Sequence, residues 1–315
     1  MVKVGIPRTL WYYKYFPLWE SFFKDLGAEI IVSPVTNKNI LDQGVKLIVD
    51  EACLPVKVFF GHVNYLKDKV DYIFCPRIVS VEKKKFTCPK FMGIPDNLYP
   101  NISGLPQIIG PTINLSKNDR DLYKTIWEVG KLFTNNPLKV TLAWQNGLKK
   151  LKKFNHTLEE GKIPSQLIKL PNLEGEFLNI AVIGHEYLIY DSYLSMNILA
   201  KLTELDLNPL TPQMVSKITI EKELEIIPKR IFWTSAQDLL GSTFYFTKKE
   251  DVAGIILVSA FGCGPDAITQ SLITHFHKNY AKKPVLLLTI DEHSGEAGIT
   301  TRLEAFADLI KRKVV

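Results

Sequence analysis

The feature that most constrains the fold is an alternation of short apolar runs with longer segments of helical periodicity. In the first third of the chain, residues 2–6, 28–33 and 71–75 are apolar runs of strand length, and several end in Gly or Pro. Between them, aromatic and aliphatic residues recur at near-helical spacing over residues 11–26 and 56–66. Strands that alternate with helices predict a parallel sheet covered on both faces.

The same alternation returns after residue 177. Residues 178–184, 254–259 and 284–290 are predicted strands, and residues 194–205, 267–280 and 299–311 are predicted helices. The intervening segment 112–176 has helical periodicity and little strand character. We therefore predict an α/β protein with two Rossmann-like (flavodoxin-like) lobes, residues 1–111 and 177–315, each with a parallel sheet, and a mainly helical linking segment over residues 112–176.

Composition and charge exclude several classes of protein. Hydrophobic residues make up 46% of the chain and charged residues 23%, as in ordinary globular proteins, and the net charge of +6 is too small for a nucleic-acid-binding surface. No apolar run reaches the roughly 18 residues that span a bilayer, and the start lacks the apolar core of a signal peptide, so we expect a cytoplasmic location. No Gly-rich dinucleotide or P-loop motif is found.

The four cysteines are too few for a disulfide scaffold but occupy informative positions. Cys53 precedes a predicted helix in EACLPVK, Cys75 ends the predicted strand DYIFC, Cys88 lies in FTCPK, and Cys263 follows the predicted strand GIILVS. Turns and the carboxyl ends of parallel strands are where open α/β sheets build ligand sites. No CxxC pair occurs, so the residues alone favour a shared metal site and isolated buried thiols equally.

Four other polar residues are candidates for catalysis. His62 follows an apolar helical segment, and Glu292, His293 and Glu296 follow the predicted strand PVLLLTI. Imidazole and carboxylate groups at a strand end can transfer protons. The alternative is structural: a packed histidine at position 62, and, in the second group, capping of the following helix by Ser294 together with an ion pair between Arg302 and a carboxylate.

Five blocks of the sequence resemble one family. They are VGIPRTLWYYKYFPLWESFFKDLGAEIIVS, EACLPVKVFFGHV, VDYIFCPRIVSVEKKKFTCPKFMGIPD, FGCGPDA and DEHSGEAGITTRLEAF. Together they are similar to the DUF2229 group, the acyl-CoA dehydratase activase-related proteins, which are relatives of the 2-hydroxyacyl-CoA dehydratases and double-cubane cluster proteins.

The resemblance implies a [4Fe–4S] cluster with Cys53, Cys88 and Cys263 as ligands. Cys75 is then a candidate fourth ligand, and its presence or absence in the coordination sphere would separate an electron carrier from a protein with an open iron. The family also implies an ATP-dependent activator of actin-like fold as a separate partner, because no such ATPase signature occurs in these 315 residues.

The expected function is low-potential electron transfer or reduction of a small substrate such as a CoA ester. Whether the chain is itself an enzyme, as a reductase or dehydratase component, stays open at this point, as does a homodimer. The alternatives are a non-catalytic module for cluster binding or maturation, and a zinc–thiolate structural protein.

Overall fold

The computed structural model describes residues 1–117, 120–171, 177–229, 231–280 and 283–314. The chain divides into two compact units. The first comprises residues 1–156 together with 232–234, and the second comprises residues 157–231 and 235–315.

The first unit alternates strands and helices from its beginning. Its elements are β1 (Lys3–Ile6), α1 (Tyr12–Asp25), β2 (Glu29–Val32), α2 (Lys38–Leu47), α3 (Leu54–Leu66), β3 (Tyr72–Phe74), β4 (Arg77–Ser80), α4 (Pro89–Met92), α5 (Ile94–Asn101), β5 (Gln107–Ile109), β6 (Thr112–Asn114), α6 (Arg120–Gly130) and α7 (Pro137–Glu159).

The main sheet of this unit has the strand order β2-β1-β3-β5, and its pairs are parallel. Strand β4 pairs with β6, also in parallel, as a separate two-stranded sheet. Because β2 and β3 lie on opposite sides of β1, the order of strands reverses next to β1, which opens a crevice at the carboxyl ends of β1 and β3.

The aromatic residues of α1 form part of the core of the first unit. Trp19, Phe22 and Phe23 are buried. The ring of Trp19 contacts those of Phe74 and Trp144, with centroids 4.5 and 5.6 Å away. The periodic aromatic series therefore serves packing of α1 against the sheet and α7.

Helices α2 and α3 cross at backbone contact distance. A Cβ atom built on Gly44 would lie 1.9 Å from the carbonyl oxygen of Lys57, and one built on Gly61 would lie 2.0 Å from that of Ile40. No side chain fits at either position without separating the helices. The crossing fixes α3, which carries Cys53 at its N-cap and His62 in its interior.

The second unit also alternates strands and helices. Its elements are β7 (Leu178–Ile183), α8 (Glu186–Ile189), α9 (Ile198–Glu204), β8 (Leu207–Leu210), α10 (Lys217–Glu223), α11 (Thr234–Lys248), β9 (Val252–Ala260), α12 (Gly264–Tyr280), β10 (Val285–Ile290) and α13 (Glu296–Val314), with short 3₁₀ turns at Pro212–Met214 and Leu224–Ile226.

The sheet of the second unit has the order β10-β9-β7-β8, with every pair parallel. Here the strand order reverses between β7 and β9. The central strands are buried almost throughout, as expected for a sheet covered on both faces. The two sheets confirm the predicted α/β class with parallel strands.

The segment 112–176 combines β6 with helices α6 and α7. Within it, residues 118–119 and 172–176 lie outside the described part of the chain. The basic run Lys149, Lys150, Lys152 and Lys153 lies on α7 and is exposed, so it forms a solvated helix face.

Among the described residues, no helix combines the length and apolar character needed to cross a bilayer.

We predict that Gly61→Ala destabilises the protein by about 3 kcal/mol, because the new methyl group must push α3 away from the Ile40 carbonyl. The matched control is Gly298→Ala in α13, where a Cβ meets no atom within 4 Å. That change should be neutral or stabilising by up to about 1 kcal/mol, since Ala favours helix over Gly. Urea unfolding monitored by circular dichroism measures both. Equal effects of the two substitutions would contradict the tight crossing.

Candidate functional site

Cys53 lies at the beginning of α3, where the sequence EACLPVK folds into a helix start. It is the N-cap residue with extended backbone angles, and Pro55 occupies the first turn, where its missing N–H group costs nothing. Helix α3 is about 20 Å long and leads into β3, so it runs antiparallel to the strands and begins near their carboxyl ends. Cys53 is therefore held at the ligand-binding edge of the first sheet.

Cys88 is positioned by backbone hydrogen bonds of the two residues that precede it. The N–H group of Thr87 donates to the carbonyl of Val79 at 3.0 Å, and that of Phe86 donates to the carbonyl of Phe232 at 2.8 Å. Phe86 returns the pairing by accepting from the N–H group of Thr234 at 2.9 Å. Cys88 then becomes the N-cap residue of α4, and it is partly exposed.

The structure brings Cys53 and Cys88 close enough to interact electrostatically. Burial raises the pKa of the Cys53 thiol, and the neighbouring Cys88 adds to that rise. The Val56 N–H group and the charge of Lys90 act in the opposite direction and favour the thiolate. Lys90 also joins the two cysteine segments directly, since its Nζ donates to the carbonyl oxygen of Glu51 at 3.0 Å.

This arrangement fits a thiolate-bound metal centre. Two cysteine segments 35 residues apart in sequence are joined through Lys90, and this lysine together with the backbone N–H groups at the start of α3 can offset the charge of the thiolates. None of the four cysteines, all of which lie in the described part of the chain, forms a disulfide. Sulfur ligands of this kind suit iron–sulfur clusters and zinc.

Cys75 has a different environment. It directly follows β3, and its N–H group continues the sheet by donating to the carbonyl of Ile109 at 2.9 Å. Complete burial strongly raises the pKa of its thiol, while Arg77 lowers it and Asp96 raises it further. It lies at the carboxyl end of β3, one of the two strands between which the strand order reverses, and its role as a ligand stays a prediction.

His62 is buried inside the first unit. Its Nε2 lies 3.0 Å from the Thr36 hydroxyl, and no part of the residue is accessible to solvent. Burial, assisted by the charge of Arg8, lowers the pKa of His62 to about 3. The imidazole is therefore neutral at physiological pH and is held as a packing and hydrogen-bonding group in the core.

The acidic and imidazole residues after β10 form a compact turn. Asp291 accepts hydrogen bonds from the Ser294 hydroxyl at 2.7 Å and from the His293 N–H group at 3.0 Å, and these bonds lower the pKa of Asp291. Glu296 opens α13 and pairs with Lys201 at 2.6 Å. The pair with Lys201 supports a structural role for Glu296, whereas His293 is exposed and Glu292 is partly buried.

Cys263 belongs to a cluster that sequence reasoning did not find. Its Sγ, a ring nitrogen of His185 and a carboxylate oxygen of Asp266 lie within 4.8 Å of one another. His185 directly follows β7 and Gly184, and Asp266 lies in the first turn of α12. Both residues follow the carboxyl end of a central strand. The same criterion, applied to the sequence for the cysteines, would have identified His185 and Asp266 as candidates too.

Comparison with known proteins identifies one family. Residues 3–215, about two thirds of the chain, match the family described as "CoA enzyme activase uncharacterised domain (DUF2229)". No curated protein matches the sequence. Among solved structures, the chain is similar to the C-terminal domain of glucosamine-fructose-6-phosphate aminotransferase from Francisella tularensis, at 9% identity over 98% of this chain and 84% of that one, with a TM-score of 0.23. That score is too low to carry an argument.

We predict that acid destabilises the protein partly through His62. The pKa of His62 is about 3 in the folded state and near 6.5 when unfolded, so the unfolded state binds the extra proton and stability falls as pH decreases from 6.5 towards 3. At pH 5 the loss relative to pH 7 is about 2 kcal/mol, from roughly 1.4 kcal/mol per pH unit.

Unfolding free energies of wild type and His62→Gln at both pH values test this. His62→Gln should lose about 2 kcal/mol of the difference between pH 7 and pH 5. An unchanged slope in His62→Gln would show that the imidazole is not held neutral.

Proposed function

We propose, because the chain belongs to the CoA enzyme activase uncharacterised domain family (DUF2229), that it is an iron–sulfur protein of activase-dependent enzyme systems. It holds a [4Fe–4S] cluster for low-potential electron transfer or for reduction of a small substrate such as a CoA ester. The single observation that carries this proposal is the hydrogen bond from Lys90, two residues after Cys88, to the carbonyl oxygen of Glu51, two residues before Cys53, which joins the two cysteine segments.

Cys53 and Cys88 are the two ligands that the geometry supports. The sequence resemblance adds Cys263 as the third ligand and Cys75 as a candidate fourth, and both assignments remain predictions. A [4Fe–4S] cluster, when bound, supplies one-electron transfer over a wide range of potentials.

The chain's own residues set the electrostatic conditions of such a site. Lys90 offsets negative charge next to the two thiols, and a cation there favours the reduced state, which carries one more negative charge. The N–H groups at the start of α3 act in the same sense. Burial of Cys53 limits contact with water, so these charges act in a medium where they are weakly screened.

Cysteine substitutions test the cluster. After anaerobic reconstitution, Cys53→Ser and Cys88→Ser should each lose most of the bound iron and acid-labile sulfide, because each removes one of two converging thiolates. Cys75→Ala is the matched control and should retain more of both. Iron and sulfide are measured chemically on the purified full-length chain, with circular dichroism to confirm folding. Stoichiometric zinc without sulfide would contradict the proposal and establish the zinc–thiolate alternative.

Electron supply gives a second prediction. The reconstituted protein should be reduced by dithionite or by an ATP-driven activator of the actin-like fold, and NADH alone should leave it oxidised. Electron paramagnetic resonance of the reduced cluster is the readout. Ready reduction by NADH without an ATPase would contradict a low-potential role. A cluster that no donor reduces would instead identify a structural or maturation module.

A further inference from the structure

Three donor atoms of different chemistry meet at the carboxyl ends of β7 and β9. The Sγ of Cys263, an imidazole nitrogen of His185 and a carboxylate oxygen of Asp266 lie within 4.8 Å of one another. His185 and Asp266 are 81 residues apart in sequence and are both buried, and the His185 Nε2 lies 2.6 Å from the Asp266 Oδ1. Sulfur, nitrogen and oxygen donors are therefore gathered in one buried place.

The place is defined by the topology of the second sheet. Strands β7 and β9 are neighbours, and the strand order reverses between them, so the connections after the two strands diverge to opposite faces. Gly184 allows the chain to turn there: a Cβ atom at this position would lie 2.9 Å from the carbonyl oxygen of Val258 in β9. The missing side chain brings His185 against the end of β9, where Cys263 and Asp266 follow.

This group of three side chains contains a buried polar atom without a protein partner among the described residues. Asp266 is 3% exposed, and its Oδ2 has no hydrogen-bond partner among the described residues. An unsatisfied buried acceptor costs about 1–3 kcal/mol, and more where the group is charged. A cation bound between the three side chains would remove this cost. Cys263 is partly exposed, which provides access from solvent.

We propose that Cys263, His185 and Asp266 bind one divalent transition-metal ion of the zinc or ferrous class. Thiolate, imidazole and carboxylate are the usual donors to such ions. Bond lengths of about 2.0–2.3 Å place tetrahedral donors about 3.5 Å apart, and the three donor atoms already lie within 4.8 Å of one another. Three protein ligands leave a fourth position for water or a small ligand.

This inference goes beyond the proposed function and differs from it at one residue only. The resemblance assigns Cys263 to the iron–sulfur cluster, whereas here its thiolate belongs to a separate mononuclear centre in the second unit.

The experiment uses the full chain carrying Cys53→Ser and Cys88→Ser, so that failure of the cluster proposal does not affect the outcome. Co²⁺ is added anaerobically to the metal-free protein. One equivalent should bind with a thiolate-to-cobalt charge-transfer band, and Zn²⁺ should displace it. His185→Ala and Asp266→Asn should each weaken binding at least about tenfold, and Cys263→Ser should abolish the band.

Matched controls separate coordination from general disruption. His293→Ala removes an exposed imidazole in the turn after the neighbouring strand, and Cys75→Ala removes a buried thiol of the first unit; both should leave the cobalt affinity unchanged. Asp266→Asn keeps the size of the side chain, so this variant reports on the lost charge if His185→Ala fails to fold.

Three results would overturn the inference. The first is absence of a thiolate–cobalt band in the double serine background. The second is a cobalt affinity that His185→Ala and Asp266→Asn leave unchanged. The third is seen after reconstitution with Cys53 and Cys88 present, if Cys263→Ser removes the sulfide while His185→Ala and Asp266→Asn leave all bound metal in place. That third pattern would assign Cys263 to the iron–sulfur cluster and leave the cluster proposal intact.

Discussion

The structure depends on a constraint of handedness in parallel sheets. Strand–helix–strand connections are right-handed, so a reversal of strand order sends successive connections to opposite faces and leaves a crevice at the carboxyl ends. The first sheet reverses between β1 and β3 and the second between β7 and β9. Cys75 follows β3, and Cys263 follows β9, so each crevice has a thiol at its border. Chemistry-bearing residues thus collect where backbone hydrogen bonding of the sheet ends.

The charges around Cys53 determine how easily a metal can displace the proton of its thiol. Burial raises the pKa of this thiol and the nearby Cys88 raises it further, so the metal-free thiol is held in its protonated form. Metal binding must displace that proton, and Lys90 with the Val56 N–H group reduces the cost. The same two groups, which stabilise the thiolate, also favour reduction of a metal centre bound to it.

The sequence predicted elements whose pattern comes from burial on a regular period, and it missed those decided by long-range packing. The aromatic period of α1 and the apolar runs of β7, β9 and β10 were recognisable because both faces of the sheets are covered. Helix α2 was missed, since KNILDQGVKL has a Gly at its closest contact with α3. Strand β8 was missed because it contains Pro209, which is tolerated at the edge of the sheet.

Site residues follow the same rule. Positions in turns and at strand ends identified all four cysteines as candidates, but the proximity of the Cys53 and Cys88 segments cannot be derived from a spacing of 35 residues. The contact between His185 and Asp266 spans 81 residues and depends on the pairing of β7 with β9.

The environments of the thiols also differ in a way that only the fold reveals. Arg77 is the cation beside Cys75, yet it forms a bidentate pair with Asp96, whose charge opposes the effect of Arg77 on the thiol. At Cys75 Asp96 thus counteracts part of the help from Arg77, whereas Cys53 has both Lys90 and an N–H donor to favour its thiolate. Cys53 is therefore the better placed of the two thiols to lose its proton to a metal.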